Sequence, residues 1–224
     1  MQSWRRKAYS QCPALDYNAA VMLHVLVLYY SRSGSVAELA RHVCRGVESV
    51  AGVSARLRTV PPVAAVTQVA EPPVPESGAP YATLEDLREC AGLVMGSPTR
   101  FGNMAAPLKH FLDTTGALWV AGAMVGKPAA VFTATQSQHG GNESTLLTMM
   151  LPLLHHGMLL VGVPFTEEAL QRTTAGGTPY GASHVHGTLK TVQLSDDEKQ
   201  LAQRLGQRVA EITRTLRAHA NPKT

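Results

Sequence analysis

The 224-residue chain has little cysteine: three residues, Cys12, Cys44 and Cys90, in no C-x-x-C spacing. An odd count without paired spacing suggests reduced, intracellular thiols and offers no zinc-ligand pattern. No apolar run approaches the 18 or so residues of a membrane-crossing helix, so no integral membrane segment is expected. Charge of one sign is also weak. The net charge is +4 and the pI near 9.1, and the basic residues are scattered rather than striped, so no nucleic-acid partner is expected. The chain lacks G-x-x-x-x-G-K-[ST] and G-x-G-x-x-G, which removes a nucleoside-triphosphate P-loop and a Rossmann dinucleotide fingerprint.

Residues 1–21 carry Arg5, Arg6 and Lys7 but show no periodicity and no apolar core of signal-peptide length. They are expected to be a disordered extension, or a start assigned too early, ahead of Met22. Residues 22–224 are expected to form one domain.

From Met22 the pattern alternates. The run 22–30 is continuously apolar and β-branched, as in a strand covered on both faces. Residues 35–50 carry apolar side chains at 36, 39, 40, 43 and 47, a helical stripe. Strands are further expected at 54–60, 91–98, 127–135 and 157–165. Helices are expected at 83–89, 104–118, 143–156 (with a kink near Pro152) and 196–219 (capped by Ser195). Residues 61–80 hold six prolines and read as a long excursion, and 166–190 as a second loop. Five strands alternating with helices argue for an α/β fold, flavodoxin-like: a five-stranded parallel sheet of order 2-1-3-4-5 with helices on both faces. Ligands of such sheets sit at the carboxyl ends of the strands.

The chemistry-bearing segments all follow strands. After the first come Ser31, Arg32, Ser33, Gly34, Ser35 and Val36, hydroxyls and a glycine at a helix start, the composition of an anion site. After the third come Pro98, Thr99, Arg100, Phe101, Gly102 and Asn103, a turn whose amides and guanidinium suit a planar polar heterocycle. After the fourth come Thr135, Gln136, Ser137, Gln138, His139 and Gly140, a permissive polar loop. Strands 1, 3 and 4 are neighbours in the expected order, so the loops converge. One offers a phosphate site and two offer donors to a flat ring. Flavin mononucleotide, FMN, is the ligand that needs both.

The segments VLVLYYSRSGS (25–35), GSPTRFGNMAAPLKHFLDTTGALW (96–119), QHGGNESTLLT (138–148), LLHHGMLLVGVPF (153–165) and GGTPYGASHVHG (176–187) resemble the WrbA family, the tryptophan-repressor-binding-protein-like NAD(P)H:quinone oxidoreductases. The resemblance covers nearly the whole chain from Met22. It implies one FMN per subunit, NADH or NADPH as electron donor, and two-electron reduction of quinones in a ping-pong cycle. It also implies a homotetramer, with a dimer as the alternative, and it fits a cytoplasmic enzyme of oxidative-stress defence. It assigns FMN contacts to the three loops and to His155, and the substrate wall to Trp119. Ser33 stands where members often carry an aromatic residue, and Gln136 where they carry a glycine. Two other functions fit the same loops: a flavodoxin-like FMN electron carrier, and a non-catalytic regulatory binding protein.

Among the remaining residues, His184 and His186 read as surface groups in a polar loop. Met149, Met150 and Met158 read as core or interface. His155 and His156 lack the carboxylate or cysteine partners of a zinc site, and no metal is expected.

Overall fold

The computed structural model describes residues 22–63, 75, 78–188 and 192–220. The expected N-terminal extension and most of the proline-rich excursion lie outside the described residues.

The elements run β1 Leu23–Tyr29, α1 Ser35–Glu48, β2 Val53–Thr59, α2 Leu84–Glu89, β3 Gly92–Arg100, β4 Asn103–Met104 and α3 Ala106–Asp113. They continue with α4 Gly116–Val120, β5 Pro128–Thr135, α5 Asn142–His155, β6 Leu159–Leu160, α6 Glu168–Arg172, β7 Ala182–Val185 and α7 Asp196–Ala220. The central sheet has the order β2-β1-β3-β5-β6, all pairs parallel. With β5 and β6 as the fourth and fifth strands in sequence, this is the expected 2-1-3-4-5 order.

Among the described residues the strand count is seven rather than five, for two reasons. The segment after β3 turns back on it as a short hairpin, β4. The fifth position is also shared by two strands. β6 pairs with Pro128 and Ala129 at the start of β5, and β7 pairs with Phe132–Thr135 at its end. The expected strand 157–165 is therefore only Leu159–Leu160, and the expected loop 166–190 contains α6 and β7. Gly162 is one cause. A side chain there would meet the Pro179 carbonyl at 2.3 Å, because the returning segment 178–181 packs against it.

The expected helix 104–118 is divided into α3 and α4. Thr114 and Thr115 donate their hydroxyls to the carbonyls of Phe111 and Leu112, both at 2.7 Å, and Gly116 follows. Hydroxyls that bond their own backbone compete with helix continuation.

Each face of the sheet carries one apolar layer. On one side α1 and α7 cover Val25, Val27, Val94, Ala130 and Phe132. On the other, α3 to α5 cover Leu26, Leu28, Met95, Ala129 and Val131 with Leu108, Leu118, Met149 and Leu153. Met149 and Met158 lie in this second core and Met150 packs against it. Two glycines let α1 and α7 touch backbone to backbone: a Cβ on Gly46 would fall 1.7 Å from the Gln203 carbonyl oxygen, and one on Gly206 2.1 Å from that of Val43.

Candidate functional site

The carboxyl ends of β1, β3 and β5 lie side by side, and the three loops meet there. Tyr30 N–H donates to the Gly96 carbonyl (3.0 Å), tying the first loop to β3. The β3–β4 hairpin turns at Phe101 and Gly102, both at positive φ, 53° and 75°. Two such residues are what a two-residue hairpin turn requires. The hairpin is docked on α5: Thr99 and Thr145 hydroxyls are 2.7 Å apart, and the Thr148 hydroxyl donates to the Gly102 carbonyl at 3.1 Å.

The first loop ends on Gly34, whose φ of 95° is left-handed and glycine-favouring. Its N–H donates to the Ser31 hydroxyl at 3.2 Å. No side chain caps α1, although the helix is 14 residues long. The first turn of such a helix has N–H groups in need of a partner and a dipole that favours an anion. Ser35 and Val36, its first residues, line a cavity of about 280 Å³. Ser31, Arg32, Ser33, Pro98, Thr99, Arg100, Thr135 and Gln136 line it too. Ten of the expected cofactor residues are thus brought together there. Arg32 and Arg100 also border an adjoining cavity of about 570 Å³ with Tyr30, Asn103, Pro107 and Lys109.

The other expected residues are placed differently. Gly34 adjoins the first cavity without lining it. Phe101 is fully exposed at the hairpin tip. Ser137, Gln138 and His139 are exposed beyond β5. The loop they form is held by the Thr135 hydroxyl on the Ser137 carbonyl (2.8 Å) and by Gly140 N–H on the same carbonyl (2.9 Å).

His155 and Trp119 belong to the other end of the sheet. α5 starts at the cavity and runs back to Leu159, which pairs with Pro128 at the start of β5. Fourteen helical residues span about 20 Å. The indole Nε1–H of Trp119 donates to the His155 carbonyl at 2.8 Å, so the two residues are neighbours, and both are exposed. One chain does not bring them to its own three loops. His156 is set apart from His155: its Nε2 lies 2.9 Å from the Thr115 hydroxyl, and burial with the nearby His155 holds it below the usual imidazole range.

A fourth segment closes the cavity, and with it His186, expected at the surface, comes to line the site. His186 N–H donates to the Thr135 carbonyl (2.9 Å) and Gly187 N–H to that of Gln136 (3.0 Å), while the Gln136 amide returns to the Gly187 carbonyl. His186 lines the cavity, its Nδ1 3.5 Å from the Ser35 hydroxyl. His184, expected at the surface, is 2% exposed and bonded through Nδ1 to Glu198 at 3.0 Å. Glu198 also accepts N–H bonds from Gly176, Val185 and Ser195. The available signals were the Ser-x-x-Glu spacing of Ser195 and Glu198, which is a capping box, and histidines two apart on a strand face.

The thiols are not part of this chemistry. Burial pushes Cys44 up to about 12 and Cys90 up to about 11, far from thiolate formation.

The donor set fits the phosphate of FMN: an uncapped helix start, neutral hydroxyls, two guanidinium groups and, among the described residues, no carboxylate lining the cavity.

Comparison with known proteins agrees. The family model described as NADPH-dependent FMN reductase matches residues 24–168. A protein of Solidesulfovibrio magneticus named NAD(P)H dehydrogenase (quinone) is 41% identical over 203 residues, covering 88% of this chain and all of that one. One of the same name from Trichlorobacter lovleyi is 41% identical over 209 residues, with 88% and 100% covered. Among solved structures, a WrbA-like flavodoxin protein of Agrobacterium tumefaciens has a TM-score of 0.57 at 21% identity, covering 86% of this chain and 98% of that one. An archaeal flavodoxin gives 0.57 at 19%, covering 86% and 99%. These two support the flavodoxin-like fold.

Proposed function

Because the chain belongs to the NADPH-dependent FMN reductase family, we propose that it is an FMN-dependent NAD(P)H:quinone oxidoreductase. The observation that carries this reading is the meeting of three strand-end loops around the uncapped start of α1. When bound, FMN accepts a hydride from NADH or NADPH and returns two electrons to a quinone; the protein supplies binding, orientation and electrostatics.

In this reading the first-turn N–H groups of α1 and the hydroxyls of Ser31, Ser33 and Ser35 hold the phosphate, with Gly34 shaping the turn. Pro98 to Asn103 form one wall of the ring site. Residues 135–140 offer backbone N–H donors to the ring edge where negative charge accumulates, the logic of an oxyanion hole. Arg32 and Arg100, shared by the two cavities, present positive charge to an anionic pyridine nucleotide. Donor and quinone take turns at one face of the ring, which makes the cycle ping-pong.

Trp119 and His155 enter through assembly. They lie among exposed apolar side chains: Val120 is 80% exposed, Val125 65%, Leu151 57% and Leu154 52%. A patch of that kind marks a contact with another protein surface. In a homotetramer, Trp119 and His155 of one copy reach the flavin site of a neighbour. Among the described residues no helix is long and apolar enough to cross a membrane. A cytoplasmic setting suits both the donors and the reduced thiols.

The test is steady-state oxidation of NADH and NADPH with benzoquinone. Continuous turnover with parallel lines in double-reciprocal plots supports the reading. A flavin-loaded protein that passes single electrons but does not consume NADH would be a carrier instead.

A further inference from the structure

We infer that His186 is a ligand of the flavin phosphate. The inference rests on the FMN reading above.

His186 follows β7 directly, in a segment none of the three loops contains. Its backbone is held on both sides: its own N–H donates to the Thr135 carbonyl, and Gly187 N–H to that of Gln136. The capping-box carboxylate of Glu198 fixes the preceding strand by accepting from Val185 N–H (3.1 Å) and from His184. The ring lines the cavity wall. Nδ1 is 3.5 Å from the Ser35 hydroxyl, a loose contact at the limit of a hydrogen bond. Ser35 is the first residue of α1, the helix whose N-terminus has no side-chain cap. An anionic oxygen placed at that helix start is within reach of both the hydroxyl and the imidazole. Among the described residues no other group bonds the His186 ring.

The surroundings suit an anion. Arg32 and Arg100 line the same cavity. The His184 ring stands 6.0 Å away, edge to face. Glu198, the carboxylate bonded to this strand, is engaged by four donors. Among the described residues no carboxylate lines the cavity, so a phosphate oxygen is the acceptor that the Ser35 hydroxyl and the His186 ring nitrogen can share.

The test is titration of apoprotein with FMN, followed by quenching of flavin fluorescence, with riboflavin as the phosphate-free probe. His186→Ala should raise Kd for FMN about tenfold, the loss of one hydrogen bond to a charged group, and leave Kd for riboflavin unchanged. His186→Gln, which keeps a donor, should recover part of the FMN affinity. Circular dichroism of the variants checks their fold. An FMN Kd in His186→Ala equal to the wild type would overturn the inference while leaving the enzyme reading intact, and so would an equal loss for riboflavin. A wild-type protein that binds no FMN would overturn both.

Discussion

His184 Nδ1 lies 3.0 Å from the carboxylate of Glu198, with both side chains at most 2% exposed. This pair fastens β7, the strand beside the cavity at the start of α1, to the start of α7. Glu198 satisfies three backbone N–H groups from three separate segments as well as His184. Glu198→Ala leaves those donors buried without an acceptor. The expected loss is about 2–4 kcal/mol of folding stability, read by urea unfolding.

The same carboxylate sets an acid limit. Burial alone would raise it, but the bonds from His184, Ser195 and Gly176 outweigh burial and hold it below the ordinary glutamate range. A group depressed in the folded state contributes its stability above its unfolded value, about 4.3, and loses it as pH falls through the lower folded value. Stability should therefore drop below about pH 4.5, and Glu198→Gln should lack this part of the drop. Thermal melts of the two proteins between pH 3 and 6 measure it.

Gly34 is the turn on which the phosphate site depends. Its left-handed φ of 95° and the Val192 methyl 3.3 Å from an added Cβ both oppose a side chain. The left-handed backbone alone costs a residue with Cβ about 1–2 kcal/mol. Gly34→Ala should weaken FMN binding by roughly 5- to 30-fold at that cost, checked by fluorescence titration.

Phe101 holds an aromatic residue at φ 53°, fully exposed, where a hairpin turn favours Asn or Gly. Strain with no local packing reward is a mark of function. Phe101→Asn should stabilise the fold by about 0.5–1 kcal/mol and raise KM for the quinone or the pyridine nucleotide. An unchanged KM for both would remove Phe101 from the site.

Close contact of α1 and α7 through Gly46 and Gly206 fixes the helix that carries the phosphate site. Gly206→Ala places a methyl about where the Val43 carbonyl stands and should cost about 2–4 kcal/mol. Denaturant melts read the loss.

Much of this was legible in the sequence. The apolar runs and the 3.6-residue stripe of α1 placed the strands, and the positions of hydroxyls and glycines after them marked the three loops. What was not legible depended on tertiary contact. Leu159–Leu160 and Ala182–Val185 share one sheet position although 21 residues separate them, and a strand of two residues has no periodicity to read. His184 looked like a loop residue because its partner, Glu198, sits on another element. His186 was read as a surface group for the same reason: it joins the site only through pairing with Thr135 and Gln136. Trp119 and His155 were assigned to the site through the family resemblance alone, and the helix between His155 and the cavity puts them at the far end of the same chain.

The most direct test of the central claim is the visible spectrum of the purified protein under anaerobic conditions, before and after NADH and then benzoquinone. The account predicts flavin bands that bleach on adding NADH and return in full on adding the quinone. A protein that is colourless and takes up no added FMN, or whose flavin bands survive excess NADH and NADPH, would contradict it.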